Sequence, residues 1–395
     1  MIPWFVDACY KWLADHGLWW AFRIFTEVQF RALAAALLSF VTVVLLSKPV
    51  IAWLRRKKIG DTGMTDSALL AASATSKAST PTMGGILIVG SIVVSTLLLA
   101  DVRNFYVQLG VIVAVWLAVV GGFDDWLKLT AATRAGGSRQ GLRSWEKLVF
   151  QLGLGLIVGY FAYNHGVGDD ASLNGAHVLN LPFSKTYRTD PATDAWQFAP
   201  GVISLGRAAF IVLSVLMVAG MSNAVNISDG MDGLAAGVSG AVSIGLLVLC
   251  GIAGAPTVAQ YLLVPYVVQS DELTVVAGAM AGSCLGFLWF NCSPASVFMG
   301  DTGSLALGGL IGYIASVIRQ EVVVLFMCAV FLIEIGSVVL QVGWFKATKG
   351  KRIFKCAPYH HHLHLSGWRE QQVVARFWIV TVLLIVLALA SLKAR

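Results

Sequence analysis

Ten apolar stretches divide this chain almost from end to end, each close to the roughly 20 residues a helix needs to cross a hydrocarbon core of about 30 Å. They run over 24–48, 83–100, 106–122, 146–164, 208–226, 233–254, 272–290, 302–318, 321–345 and 373–392. A backbone in lipid must satisfy its polar groups within the segment, so each run predicts a transmembrane helix. The expected fold class is an all-α integral membrane protein, one polytopic domain over 1–395 with about ten transmembrane helices. Val258–Val268 is also apolar, but it is short and carries Pro265, which places it at the interface. Composition agrees. The chain is 57% hydrophobic and 12% charged, against roughly 25% charged for a soluble domain, and so apolar a chain could not cover a soluble surface.

Net charge is +7, which on a soluble protein would suggest nucleic acid. Here the bases lie between apolar runs, so they report topology, and no nucleic-acid partner is expected. Sixteen Lys and Arg (48, 55–58, 77, 128, 134, 139, 143, 346, 349, 351, 352, 355 and 369) fall on one side of a ten-span arrangement and nine on the other. The richer side is expected to be cytoplasmic, with both termini extracytoplasmic and Trp4, Trp12, Trp19 and Trp20 in an outer interfacial segment. Asp7, Lys11, Asp15 and His16 interrupt any signal-peptide pattern, so no cleaved leader is expected. The six cysteines are scattered without CxxC spacing, which argues against a disulfide or metal framework.

The carboxylates collect on the cytoplasmic side, although the orientation came from Lys and Arg alone. Asp124 and Asp125 end the third span in GGFDDWLK, Asp229 and Asp232 lie in SNAVNISDGMDG, and Asp301 opens the eighth span in FMGDTGSL. His360, His361 and His362 stand in a loop on the same side. Loops 223–232 and 290–302 contain acids or amides and no base, so they are not orientation signals. Taken singly, Asp301 could be an N-cap, the Asp pair a solvated helix end, and NISDGMDG a polar turn. Jointly they suit Mg²⁺, which binds through one or two carboxylates plus substrate phosphates. Asn223, Asn226 and Asn291 add amides, while Lys77, Lys128 and the histidines add donors for a pyrophosphate. The Pro81–Gly85 turn offers N–H groups at a helix start for a phosphate. The expected chemistry is Mg²⁺-dependent phosphoryl transfer between a soluble donor and an acceptor held in the bilayer.

Read in order, these motifs resemble a known family. They are Lys77 with TPTMGG (80–85), the Asp124–Asp125 pair with Lys128, NAVNISDGMDG (223–233), Asn291 with FMGDTGS (298–304), and Pro358 with the three histidines and Gly367–Trp368. Together they resemble phospho-N-acetylmuramoyl-pentapeptide transferase, of the polyprenyl-phosphate hexose-1-phosphate transferase superfamily. The resemblance implies a homodimer in the bacterial inner membrane, with its active site facing the cytoplasm. It implies transfer of phospho-MurNAc-pentapeptide from UDP-MurNAc-pentapeptide to undecaprenyl phosphate, giving lipid I and UMP. The site would be built from cytoplasmic loops 49–82, 123–145, 223–232, 291–301 and 346–372, with 165–207 an extracytoplasmic loop. Asp124, Asp125, Asp229, Asp301 and His360 would be catalytic, and Asp301 would bind Mg²⁺. Lys77, Thr82, Lys128, Asn226, Gly230, Asp232, Asn291, Phe298, Ser304, His361 and His362 would bind substrate. Asp124 or Asp125 would take the proton of the lipid phosphate.

The sequence departs from the family pattern over 60–76, at Ser79, Tyr359 and His364, and keeps the acidic motifs intact. Two other readings compete. One is a sibling transferase that takes UDP-N-acetylglucosamine. The other is an ion-coupled transporter, favoured by Glu334 inside the ninth span and opposed by the absence of an internal repeat. For Glu334 the expected partner is Gln341, two turns on.

Overall fold

In the computed structural model, residues 1–56, 80–130, 141–167 and 173–393 are described. All ten apolar runs are helical. In chain order they form α1 (Val28–Arg56), α2 (Gly85–Leu99), α3 (Phe105–Thr130), α4 (Ser144–Val167), α5 (Arg207–Ser228), α6 (Leu234–Ala253), α7 (Leu273–Asn291) and α8 (Gly300–Val317). These are followed by α9 (Glu321–Met327), α10 (Ala329–Ala347), the short α11 (Tyr359–Leu365) and α12 (Glu370–Ser391). Among the described residues, seven helices are long and apolar enough to cross a membrane by length and composition: α1, α3, α5, α6, α7 with its preceding turn, α10 and α12. The other three expected spans correspond to α2, α4 and α8, of 15, 24 and 18 residues.

The helix that organises the rest is α8. Every residue from Asp301 to Val317 is buried, as expected of a helix that is apolar around its whole circumference. Small residues make this possible. Gly308 and Gly312, four apart and so on one face, lie directly against the α5 backbone at Met221 and Met217, where a Cβ would overlap the carbonyls. Helices in lipid gain their association from such close contact, since apolar side chains have no preference for protein over tails.

One sequence expectation is corrected. The ninth span is interrupted at Cys328, which separates α9 from α10, although the Cys328 N–H still donates to the Val324 carbonyl at 2.8 Å. The 165–207 loop, whose residue pattern sets no structural expectation, has local order in its described residues. It holds a two-stranded antiparallel sheet, β1 (Tyr187–Thr189) and β2 (Trp196–Phe198), with Tyr187 opposite Phe198. Tyr187 fastens it, donating from Oη to the Leu173 carbonyl and accepting the Tyr266 N–H at 2.9 Å. Arg319, at the far end of α8, donates to the Val178 carbonyl at 3.0 Å. The Val258–Val268 stretch forms a short helix, Pro256–Tyr261, and a turn whose Val264 and Val267 are buried.

That far end is tied by one fork. Arg31 of α1 makes a bidentate pair with Glu272, at 2.6 and 2.8 Å, and also donates to the Leu99 carbonyl at 3.1 Å. Glu272 in turn accepts the Asp101 N–H. Both side chains are almost fully buried, so removing one leaves a charge with no partner, a loss of about 3–5 kcal/mol. Arg31→Met should therefore lower the melting temperature in detergent strongly. The double variant Arg31→Met/Glu272→Met should recover most of the loss, and equal melting of the single and double variants would refute the account.

Candidate active site

The site begins with a close approach between α3 and the head of α8. Gly121 lies one turn before Asp125, and a Cβ there would overlap the Asp301 carbonyl. With no side chain in the way, α3 brings its two aspartates directly under the first turn of α8. The first N–H groups of a helix have no partner within it. Asp125 supplies one, accepting the Asp301 N–H at 3.1 Å, the Thr302 N–H at 3.0 Å and the Thr302 hydroxyl at 2.7 Å. The cap of α8 thus comes from α3, and Asp301, a possible N-cap by sequence, is released to face the site.

Asp301 uses that freedom. Its Oδ1 accepts the Asn226 amide at 2.9 Å, and its Oδ2 lies 2.9 Å from Lys147 Nζ and 3.4 Å from Lys128 Nζ. Asp124, fully buried, accepts the Leu142 N–H at 2.6 Å on Oδ1 and faces Lys128 at 2.7 Å and Lys147 at 3.4 Å on Oδ2. Asn226 also donates to Ser304 Oγ, which donates to the Gly300 carbonyl. Lys147 was absent from the residues singled out by sequence, because it falls inside the fourth apolar run. A lysine in the first turn of that run, on the same side as the acids, was the available signal.

Asp229 sits on the turn after α5. Burial pushes its carboxyl up to about 7, the charges of Asp301, Asp125 and Asp232 push the same way, and the Gly300 N–H opposes them. The remaining loop residues hold the walls. Asp232 accepts the Ala295 N–H at 3.1 Å. Asn291 is buried, accepting the Gly233 N–H and donating to the Val297 carbonyl. Thr82 and Phe298 lie on two segments joined by backbone bonds, the Phe298 N–H to Pro81 at 2.8 Å and the Gly84 and Gly85 N–H groups to the Phe298 and Met299 carbonyls at 2.9 and 2.8 Å. The Gly84 and Gly85 N–H groups, expected to meet a phosphate, are therefore already engaged. Lys77 lies outside the described residues.

The histidines form α11. His360 is buried against Gly230, and His361 and His362 are half-buried. His362 Nδ1 accepts the Lys355 N–H at 3.2 Å. The expected Glu334–Gln341 pair is not formed. Glu334 accepts the His360 backbone N–H and lies 3.0 Å from His360 Nδ1, while Gln341 Oε1 accepts the Ile353 and Phe354 N–H groups. The loop after α10 folds back along the helix, and that return supplies partners which spacing within one helix cannot reveal.

Asp124, Asp125 and Asp301 could hold a metal ion: one oxygen from each lies within 4.8 Å of the others. Charge supports the fit. Three carboxylates (Asp124, Asp125, Asp301) gather around two ammonium groups, Lys128 and Lys147, which leaves an excess of negative charge. Hard oxygen donors of this kind suit Mg²⁺ or Mn²⁺.

Comparison with known proteins agrees first on the class. Residues 107–319, which include all four aspartates, match the model of Glycosyl transferase family 4, so this is a multi-pass membrane enzyme of that class. Residues 77–89 match Phospho-N-acetylmuramoyl-pentapeptide-transferase signature 1. The chain is 41% identical to a protein of that name from Desulfotalea psychrophila, over 96% of this chain and 98% of the relative. It is 40% identical to one from Neisseria gonorrhoeae, over 98% of this chain and all of the relative. With Thermodesulfovibrio yellowstonii the figures are 39%, 94% and 96%. The chain belongs to the phospho-N-acetylmuramoyl-pentapeptide-transferase family.

Lys147 and a metal ion would compete for the same oxygens. A unit charge at 4 Å is worth up to about 4 kcal/mol near a protein surface. Lys147→Met should therefore tighten Mn²⁺ binding, read by electron paramagnetic resonance without substrate, by about tenfold or more. Unchanged or weaker binding would argue that these carboxylates form only a salt-bridge cluster.

Proposed function

We propose that the chain transfers phospho-MurNAc-pentapeptide from UDP-MurNAc-pentapeptide to undecaprenyl phosphate, releasing UMP and giving the first lipid-linked intermediate of peptidoglycan synthesis. The observation that carries this reading is the set of aspartates and lysines gathered at one polar end of an otherwise apolar bundle. Such an end suits a reaction between a soluble pyrophosphate donor and an acceptor whose tail lies in lipid. The excess of Lys and Arg in the loops on that side supports a cytoplasmic site in the bacterial inner membrane. The homodimer implied by the resemblance belongs to the same reading.

An oxygen of the lipid phosphate attacks the β-phosphorus of the donor. The bond from that phosphorus to the bridging oxygen breaks, and UMP leaves with the oxygen. Asp124 is better suited than Asp125 to take the acceptor's proton. Asp125 is engaged by three fixed donors at the head of α8, whereas Asp124 Oδ2 is held by two lysine side chains. Lys128 is 45% exposed, so an incoming phosphate can draw it away and leave that oxygen free. Mg²⁺ held by Asp301 would offset charge on the pyrophosphate. Asn226 fixes the Asp301 rotamer, and Lys128 and Lys147 supply donors to phosphate oxygens. His361 and His362 line the donor side, and Thr82, Gly230, Asp232, Asn291 and Phe298 shape the nucleoside side. A pyrophosphate is exchanged for a pyrophosphate, so the reaction runs close to balance.

The test is UMP release by detergent-purified protein with undecaprenyl phosphate and Mg²⁺, comparing UDP-MurNAc-pentapeptide with UDP-N-acetylglucosamine. Turnover with the first alone, abolished by EDTA and restored by Mg²⁺, is expected. Turnover only with the second would move the protein to the sibling transferases. Asp301→Asn should retain its melting temperature and lose about 10³-fold or more in kcat, on the scale of removing one preorganised electrostatic contact or more. Near-normal turnover of that variant would remove Asp301 from the metal site.

A further inference from the structure

Glu334 has no part in the chemistry above, yet it is fully buried in a helix most of whose residues are exposed. Its carboxylate is committed to one residue. The His360 backbone N–H reaches Oε1 and Oε2 at 3.1 and 3.3 Å, and His360 Nδ1 lies 3.0 Å from Oε2. Glu334 accepts the His360 backbone N–H with both oxygens, and a carboxylate in that accepting role assigns the ring proton to His360 Nδ1. The imidazole is itself buried, and its Nε2 has no hydrogen-bond partner among the described residues. That nitrogen faces Gly230, where a Cβ would come within 2.5 Å of it, and Gly230 is the neighbour of Asp229. A buried polar atom without a partner costs free energy, and here it points toward the site.

We propose that Glu334 is a positioning residue for the transfer reaction, fixing His360 in the orientation and protonation pattern that present Nε2 to the Asp229–Gly230 turn. Whatever charge the ring carries, Nδ1–H is engaged, so Nε2 is the only ring atom that can exchange a hydrogen bond or a proton with substrate. The backbone N–H bond to the same carboxylate fixes the start of α11, so one buried group sets both the path of the chain and the facing of the ring. The logic is that of a carboxylate orienting an imidazole, where the wrong tautomer costs orders of magnitude in rate. A free acid inside a span would suit ion transport, whereas this one is engaged.

The inference rests on the transferase reading for its kinetic arm, and on geometry alone for its spectroscopic arm. In Glu334→Gln the amide can present N–H to Nδ1 and drive the ring proton to Nε2. The ¹⁵N spectrum of histidine-labelled protein, with His360 identified by its loss in His360→Gln, should show Nδ1 protonated in the parent. It should show a changed tautomer in Glu334→Gln. In UMP release, Glu334→Gln should lose about 10²-fold in kcat with KM for the UDP donor altered less than about threefold and the melting temperature retained. Glu334→Asp, which keeps a carboxylate, should recover part of the rate. The double variant Glu334→Gln/His360→Gln should be no slower than His360→Gln alone, because the first acts only through the second. An Nδ1 without its proton in the parent would overturn the proposal. So would parental kcat in Glu334→Gln, or a rate loss that merely follows a fall in melting temperature. If the parent turns over no donor, the transferase reading fails, while the ¹⁵N comparison still decides for or against Glu334.

Discussion

A carboxylate on one helix caps the buried head of another, and the remainder of the site depends on this contact. The first turn of α8 is sunk among its neighbours, where water cannot satisfy its N–H groups. Asp125 satisfies two of them and a hydroxyl besides. This fixes the depth at which α8 sits against α3, and hence the distance from Asp301 to Asp124 and both lysines. The missing side chain at Gly121 lets the two backbones come that close. If either feature were absent, the carboxylates would still exist but would not converge.

Convergence of acids is electrostatically costly, and the bundle answers it with ammonium groups on flexible stems. Lys128 arrives from the same helix as Asp124, one turn on, and Lys147 from the next helix. Both bridge Asp124 and Asp301, so the charges are balanced by groups that can change partner. Lysine suits such a role because its charge is compact and its stem has many rotamers. At the opposite end of the bundle, Arg31 and Glu272 form a rigid fork with no freedom of this kind. Pairs on flexible stems stand at the carboxylate cluster, and a fixed pair stands where helices are only tied.

Much of this was legible in the sequence. The ten apolar runs all became helices, because spanning length and hydrophobicity are properties of each segment by itself. The aspartates and Asn226 came together as their shared side had suggested. What escaped was decided by contacts between distant segments. Lys147 looked like part of a span, Glu334 looked like a partner of Gln341, and the TPTMGG turn looked open to a phosphate. In each case the deciding partner lies far away in the chain: Asp301 for Lys147, His360 for Glu334, and Phe298 with Met299 for the turn. The break at Cys328 and the sheet in the 165–207 loop had no marker in the residue pattern.

The backbone bonds between residues 81–85 and 298–299 make a clasp of two chain segments that spacing alone would keep apart. One segment carries Thr82 and runs directly into α2. The other runs through Gly300 into Asp301. Whatever pushes on the first is felt by the second, since the two are stitched through three backbone N–H bonds. The wall of the site that includes Thr82 and the aspartate at the head of α8 therefore move as one body, and a ligand that shifts the wall re-registers the carboxylate in the same stroke.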